Sequence, residues 1–191
     1  MLERIRKKLL ARRPLPGCRA RRFARAQDGA AAVEFALVAA PFLALLFAII
    51  ETALVFFAGQ SLEAAATDSG RYIMTGQAQT AGYASAGDFK TNVLCPIIGS
   101  NGLFNCDNIQ VDVQTFNQFS DITSTPPITN GQLDTSKMGF VPGNAGSIVV
   151  VRLYYQWPIY LSLLNNTLAN LSNGDRLLVA TSVFRNEPYG S

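Results

Sequence analysis

Residues 29–58 read GAAAVEFALVAAPFLALLFAIIETALVFFA, an apolar segment that carries a carboxylate, Glu34, near its beginning. Residues 36–50 form a run of fifteen consecutive apolar residues, and the run resumes at Ala53. A helix needs about 20 residues, at about 1.5 Å each, to cross a hydrocarbon core of roughly 30 Å. The length of the segment therefore predicts a membrane-spanning helix over residues 30–58.

The chain before this segment is strongly basic. Residues 1–28 hold ten of the sixteen Lys and Arg residues and two acidic residues, a net charge of +8, whereas residues 29–191 carry −5. Basic residues directly before a membrane helix keep that end of the chain in the cytoplasm, close to anionic lipid. We therefore interpret residues 1–29 as a cytoplasmic leader at a bacterial inner membrane, with lipid and not nucleic acid as its partner. The part after the helix is then periplasmic.

Glu34 is the informative residue of the helix. A carboxylate inside a membrane segment costs on the order of 3 kcal/mol on insertion scales, and such a group normally has a partner or a task. An interfacial position among the lipid head groups is the alternative, because Glu34 lies only four residues beyond Ala30.

The order of residues around Glu34 resembles a known export signal. A basic leader, Gly29, four small or apolar residues, Glu34 and the aromatic Phe35 stand before the apolar run. This arrangement resembles the class III signal of type IV pilin-like proteins, and the Glu-aromatic pair resembles the tight-adherence, Flp-type branch. The resemblance implies that a prepilin peptidase cuts between Gly29 and Ala30. The new amine of a neighbouring subunit is then predicted to pair with the Glu34 carboxylate.

Two C-terminal stretches, YYQWPIYLSLL and RLLVATSVFRNEPYG, resemble the TadE-like family of tight-adherence pilus assembly proteins. With the signal, this similarity covers most of residues 21–190. It implies a pilin-like minor subunit or assembly factor that acts by helix packing in pilus initiation or at the tip. A TadF-like minor subunit and the major pilin are the implied partners, and a TadF-like role for this chain stays open.

Two other interpretations of the helix remain. In the first, the chain is a signal-anchored extracytoplasmic binding or sensing domain that keeps residues 1–29. In the second, the segment is an ordinary secretory signal peptide, with the alanines at 64–66 as its cleavage site. The second fits poorly, because the apolar core of such a peptide is only about 7 to 15 residues long.

The helix is predicted to continue beyond the bilayer as an extension over residues 59–76, ended by Gly76. Glu51, about 31 Å from Ala30 at the helical rise, is interpreted as an anchor among the outer head groups. Four residues of the extension recur on one face, which predicts that this face is buried. They are Leu62, Ala66, Ser69 and Ile73.

Residues 77–191 are predicted to form an extracytoplasmic α+β domain with a short antiparallel sheet, as in pilins. The patterns predict a helix over 88–98, strands over 108–116, 147–157 and 176–186, and an amphipathic helix from Pro158 to Gly174. Residues 77–87 and 118–146 are rich in turn-forming residues and are predicted to be a flexible polar loop and a long exposed loop.

Cys95 and Cys106 are the only thiols outside the leader. The predicted orientation places both beyond the inner membrane, where disulfides persist. A bridge between them would stabilise the domain by on the order of 3 kcal/mol in the loop-entropy model. A metal site is the alternative, but the chain has no His to complete it.

The composition argues against an enzyme. Without His the chain lacks the usual triad base and imidazole metal ligands. Neither GxGxxG nor GxxxxGK followed by Ser or Thr occurs, so nucleotide binding has no support. We expect no catalytic residue, no metal and no cofactor, with a Ser–Lys dyad at Lys90 or Lys137 as the alternative.

Cleavage between Gly29 and Ala30 is the first testable prediction. N-terminal sequencing of the protein from a host with an active prepilin peptidase should return AAAVEF. A Gly29→Leu variant should keep its leader and stay in the membrane as the precursor. An unmodified chain that still begins at Met1 in that host would contradict the pilin-like assignment.

Overall fold

The computed structural model describes residues 29–99, 102–123, 125–161 and 165–189. The basic leader predicted from the sequence lies almost entirely outside them. The longest element is the helix α1, Ala30–Met74, which contains Pro41. A proline removes one helical hydrogen bond, and membrane helices tolerate this loss. The prediction that one helix extends past the apolar segment is confirmed.

The second half of α1 buries one face. Before Glu51, none of the residues 29–50 is buried. From Glu51 onward the buried residues recur every three or four positions, the spacing that keeps side chains on one side of a helix. They are Glu51, Val55, Ala58, Leu62, Ala65, Ala66, Ser69, Gly70 and Ile73. The face predicted from Leu62 to Ile73 is therefore confirmed.

Gly76 ends this helical stretch, as predicted. Its φ of +77° is favourable only for glycine among common residues, and the Tyr189 ring lies against its α-carbon. The backbone N–H of Glu187 donates to the carbonyl of Met74 at 2.9 Å and so satisfies one of the free carbonyls at the helix end.

The strands of the described residues are, in chain order, β1 Gln110–Phe116, β2 Ile128–Thr129, β3 Gln132–Leu133, β4 Ile148–Trp157 and β5 Arg176–Arg185. The main sheet is antiparallel and has the strand order β1-β4-β5. The long central strand β4 pairs with both neighbours, which explains its nearly continuous apolar sequence. All three strands predicted from the sequence are present, and the α+β class is confirmed.

One face of the sheet packs on α1 and forms the main core. Alternate residues of β4, from Val149 to Trp157, belong to this core because successive side chains of a strand point to opposite faces. Phe104 packs edge-on against Tyr155, with 5.0 Å between the ring centroids. Gly70 lets the helix approach β5 closely, since a Cβ there would lie 2.9 Å from the Phe184 ring.

Residues 86–98 are helical, as predicted, in three successive pieces. These are α3 Ala86–Phe89, a wider turn Lys90–Leu94 and α4 Cys95–Ile98. The Ser85 hydroxyl accepts a hydrogen bond from the backbone N–H of Asp88 and caps the first piece. A disulfide joins Cys95 to Cys106 with 5.7 Å between their α-carbons, so the predicted bridge is present.

The prediction of a flexible loop over residues 77–87 is wrong in its first part. Gln77–Thr80 is a short helix, α2, and its Ala78 is fully buried in the core. The Gln79 side chain donates to the carbonyls of Pro142 and Gly143 at 3.0 and 3.2 Å. The polar composition of this segment did not predict these contacts, because only one small residue, Ala78, and one amide side chain, Gln79, make them.

The prediction of an exposed loop over residues 118–146 is also corrected. Asn130 and Gly131 both have positive φ and join β2 to β3 in a two-residue hairpin. Further on, Phe140 forms a parallel bridge with Val113 and so covers part of the free edge of β1. The Asn-Gly dipeptide is a known hairpin signal, and it could have revealed this turn.

This same segment covers the sheet face opposite α1. Asp112 is 3% exposed and pairs with Arg152 at 3.5 Å, and it accepts from the N–H of Gly139 at 3.0 Å. Arg152 also donates to the carbonyl of Thr123 at 2.7 Å. Burial raises the pKa of the neighbouring Tyr154 hydroxyl, so the phenol stays neutral. Both faces of the sheet centre are therefore covered.

The amphipathic helix predicted between Pro158 and Gly174 is largely absent. Residues 158–161 are not helical, residues 162–164 lie outside the described chain, and only α5, Asn165–Leu168, is a helix. The backbone N–H groups of residues 160 and 161 donate to the Glu51 carboxylate.

The close contact at Gly70 predicts opposite effects for two glycines of α1. Gly59→Ala should stabilise the protein by up to about 1 kcal/mol, because alanine favours helix and nothing lies within 4 Å of the new Cβ. Gly70→Ala gains the same preference but must displace Phe184 and Ser182, an overpacking that costs about 1–3 kcal/mol. Chemical unfolding of the full chain in detergent, followed by the fluorescence of Trp157, measures the difference. Equal stabilisation by both changes would refute the close approach.

Candidate functional site

The residues predicted to carry the function lie at the start of α1. Gly29 directly precedes the helix and Ala30 is its first residue, and both are exposed. Glu34 follows Ala30 by about one helical turn. Phe35 is 75% exposed. Gly29, Ala30, Glu34 and Phe35 thus lie within seven consecutive exposed residues at the start of α1.

Glu34 has no partner within the described chain. The single ion pair among the described residues is the one between Asp112 and Arg152, and no hydrogen bond reaches the Glu34 carboxylate. A carboxylate near the N-terminal end of a helix is favoured by the helix dipole. This effect falls off within the first turn, so it offsets little of the cost of placing a charge in lipid.

Apolar side chains surround this half of α1 on all sides. A helix that is apolar all round belongs in a membrane or a core, and this part lies in no core of the described chain. At about 1.5 Å per residue, the exposed part from Ala30 to Ile50 is about 31 Å long, close to the thickness of a hydrocarbon core. Its exposed large residues are Val33, Phe35, Leu37, Val38, Phe42, Leu43, Leu45, Leu46, Phe47, Ile49 and Ile50.

A row of alanines with four-residue spacing runs along the same half of the helix. Its members are Ala32, Ala36, Ala40, Ala44 and Ala48, of which the first four are exposed. Residues four apart are neighbours on a helix surface. In membranes, small residues at this spacing let two helices approach closely. The sequence prediction drew on the alanines at 30–32 and did not include this longer row.

Glu51 occupies a different environment from the one predicted. Only 6% of it is exposed, and its carboxylate accepts hydrogen bonds from the backbone N–H groups of Tyr160 and Leu161. The Leu161 bond to Oε2 is 3.0 Å long. The interpretation as a head-group anchor is therefore corrected, because the protein itself uses the carboxylate. The three- to four-residue spacing from Glu51 to Val55 and Ala58 was the signal in the sequence that places Glu51 on the buried face.

The rest of the described chain offers little that resembles a reactive centre. No group of three or more Cys, Asp or Glu side chains among the described residues could hold a metal ion. One groove of about 270 Å³ lies between the β2-β3 hairpin and Asn173, and another of about 370 Å³ lies beside Phe140. Neither groove is lined by a charged side chain.

The hydrogen bonds of Glu51 predict a local effect of its removal. Glu51→Leu should destabilise the protein by about 1.5–3 kcal/mol, the range for hydrogen bonds to a charged group. Amide hydrogen exchange of the peptide that contains residues 160 and 161 should become faster. Glu63→Gln is the control, because Glu63 is exposed on the same helix and no described residue bonds its carboxylate. Unchanged exchange in Glu51→Leu would show that the carboxylate does not hold this segment.

Comparison with known proteins supports the predicted resemblance of the α1 segment to the TadE-like family. The model of the family described as TadE-like protein matches residues 29–71. In the same comparisons, no curated protein and no solved structure matches the chain. The match does not extend to the two C-terminal stretches, whose resemblance to the family remains a prediction.

The match covers the residues that define the site. It contains Gly29, Glu34 and Phe35, and it reaches to Arg71 near the end of α1. Among the described residues one helix is long and apolar enough to cross a membrane. Together with the family, this helix indicates a single-pass membrane protein. Residues 29–71 are thus similar to the TadE-like family, which confirms the predicted resemblance for this part of the chain.

Proposed function

We propose that this protein is a pilin-like minor subunit or assembly factor of a tight-adherence pilus. It packs the exposed half of α1 against other pilin-like helices, in pilus initiation or at the tip. The observation that carries this proposal is Glu34, an exposed carboxylate without a partner in the described chain, on an otherwise apolar helix. Such a group requires a partner from another molecule.

Processing supplies that partner. Prepilin peptidase removes the leader after Gly29, and the mature chain then begins with a charged amine on Ala30. The amine of a neighbouring subunit pairs with Glu34, so that two groups that are each costly in lipid neutralise one another. Because the amine exists only after cleavage, processing controls when the helix can join its partners.

The alanine row gives the helix a surface for close packing. Helices in lipid associate through van der Waals contact and hydrogen bonds, since lipid chains are as apolar as leucine. The exposed row Ala32, Ala36, Ala40 and Ala44 supplies a shallow strip into which the larger side chains of a TadF-like subunit or the major pilin fit. Glu34 is two residues from both Ala32 and Ala36, which at about 100° per residue places it on the side of the helix opposite the row. The row and the carboxylate therefore contact different neighbouring helices, and the charge pair sets the axial register.

The proposed orientation has the N-terminus in the cytoplasm and the sheet domain in the periplasm. The leader charge of +8 supports it through the preference of basic residues for the cytoplasmic side. The disulfide between Cys95 and Cys106 supports it independently, because disulfides persist outside the reducing cytoplasm. The role is structural and uses no catalytic group.

The alternative function, a signal-anchored binding or sensing domain, predicts a different N-terminus. It keeps residues 1–29 and needs neither a free amine on Ala30 nor a charge at Glu34. The intact mass of the membrane-extracted protein separates the two functions, because only the pilin-like subunit loses its leader.

Glu34→Gln tests the pairing directly. The variant should insert and be cleaved normally, since removing a charge makes membrane insertion easier. Co-purification of its pilin-like partners should fall by about tenfold or more, which corresponds to about 1.4 kcal/mol of lost interaction. Pilus number, counted by microscopy, should fall with it.

Glu63→Gln is the matched control, because it removes an exposed carboxylate of the same helix outside the apolar half. Glu51→Gln is unsuitable as a control, since the structure shows that Glu51 is buried and bonded within the domain. If Glu34→Gln recovers partners and pili at the unmodified level, the charge pair is wrong and Glu34 is an interfacial residue.

A further inference from the structure

We infer that residues 158–161, which follow β4, form a second membrane contact, in which Tyr160 inserts among the lipid head groups at the outer end of the exposed helix. The inference rests on the proposed function, because it requires that α1 spans the bilayer. Its partner is the phospholipid surface itself. Nothing in the TadE-like match bears on this segment, which lies outside residues 29–71.

The position of the segment follows from Glu51. Its carboxylate binds the N–H groups of Tyr160 and Leu161, so residues 160 and 161 lie against α1 at that position. The preceding turn of the helix is apolar and open, with Phe47 and Ile50 about half exposed. The segment thus meets the helix at the place where the buried face begins, while the opposite side of the helix stays apolar and exposed as far as Phe57.

The depth of this place matches the edge of a bilayer. Glu51 lies about 31 Å beyond Ala30 along the helix, and a hydrocarbon core is roughly 30 Å thick. A bilayer whose inner boundary lies at Ala30 therefore has its outer head groups at the level of Glu51. Residues 160 and 161, which are bonded to Glu51, share that level.

The side chains of the segment divide between the core and the outside. Trp157 is buried and Ile159 packs against the main core. Tyr160 points away from that core and is 80% exposed, the largest exposed fraction among the large apolar and aromatic residues of the described chain. Residues 158–161 contain no charged side chain. The packing of Ile159 and the bonds to Glu51 thus hold an exposed ring on a fixed backbone.

Tyrosine is suited to the head-group region. Its ring is apolar and its hydroxyl forms hydrogen bonds, so tyrosine is enriched in the belts at both membrane surfaces. Phe56 and Phe57 are exposed on α1 about 8–9 Å beyond Glu51 and add apolar surface in the outer head-group layer. Two contacts, the helix and Tyr160, would hold the sheet domain in one orientation on the bilayer, which a single helix cannot do.

Spin labels on the full chain in phosphatidylcholine vesicles test this contact. Cys18→Ser removes the one thiol outside the disulfide, and Tyr160→Cys then carries the label. Oxygen, which dissolves in lipid, and a water-soluble nickel chelate report whether the label lies in lipid or water. Phe42→Cys on the exposed helix and Phe119→Cys on the segment between β1 and β2 are the controls, because both residues are exposed and neither change disturbs the core.

The label at position 160 should show several-fold lower access to the nickel chelate than the label at 119. Its access to oxygen should lie between those at 119 and 42. Adding Glu51→Leu should move the label at 160 toward the values at 119, because the segment is no longer held against the helix.

Two outcomes overturn the inference in distinguishable ways. If the label at 42 is in lipid and the label at 160 matches that at 119, Tyr160 does not contact the bilayer, while the membrane helix stands. If the label at 42 is itself in water, α1 does not span the bilayer, and both the proposed function and this inference fail.

Discussion

The packing of the second half of α1 against β4 and β5 is the interaction on which the rest of this molecule depends. From Glu51 to Ile73 the helix supplies one continuous face to the core, and the small residues Ala58, Ala66 and Gly70 let the sheet come close. The first half of the same helix has no such face. One helix therefore serves two environments, and the change between them occurs at Glu51.

The two carboxylates of the apolar segment show how differently a protein can treat one residue type. A buried carboxylate must be bonded, because an unpaired charge in a medium of low polarity is costly. Glu51 meets this requirement within the chain, through the amides of Tyr160 and Leu161. Glu51 thus serves the fold, whereas Glu34 has no such partner in the described chain, and its proposed role in assembly rests on this difference.

The two halves of α1 also differ in the forces that stabilise their contacts with other elements. In the half that packs on the sheet, apolar burial supplies the stabilisation. In lipid, apolar surface gives a helix no preference for one partner over another, because lipid is equally apolar. Specific association of helices in lipid depends on shape and on polar pairs, the two properties on which the proposed role of the exposed half rests.

The sequence by itself determined the elements that depend on local periodicity and on strong composition. Fifteen consecutive apolar residues indicated the membrane helix, and apolar strands at 147–157 and 176–186 indicated the sheet. The spacing of Gly29, Glu34 and Phe35 indicated a pilin-type signal of the tight-adherence branch, while the TadE-like resemblance rested on two C-terminal stretches. The TadE-like model matches residues 29–71, which contain the signal, and does not reach those stretches. The disulfide followed from having two cysteines on one side of the membrane. The turn at Asn130-Gly131 could also have been predicted from its dipeptide, although the polar composition of the whole segment indicated only a loop.

Only the tertiary structure decided the roles of Glu51, Asp112 and residues 158–161. Each depends on a partner between 40 and 110 positions away in the chain, as with Asp112 and Arg152 or Glu51 and Leu161. No periodicity records such a pairing, because the free energy comes from burying a polar group together with its distant partner. The apolar pattern after Pro158 favoured a helix locally, but residues 158–161 are not helical, and the N–H groups of Tyr160 and Leu161 bond the distant Glu51.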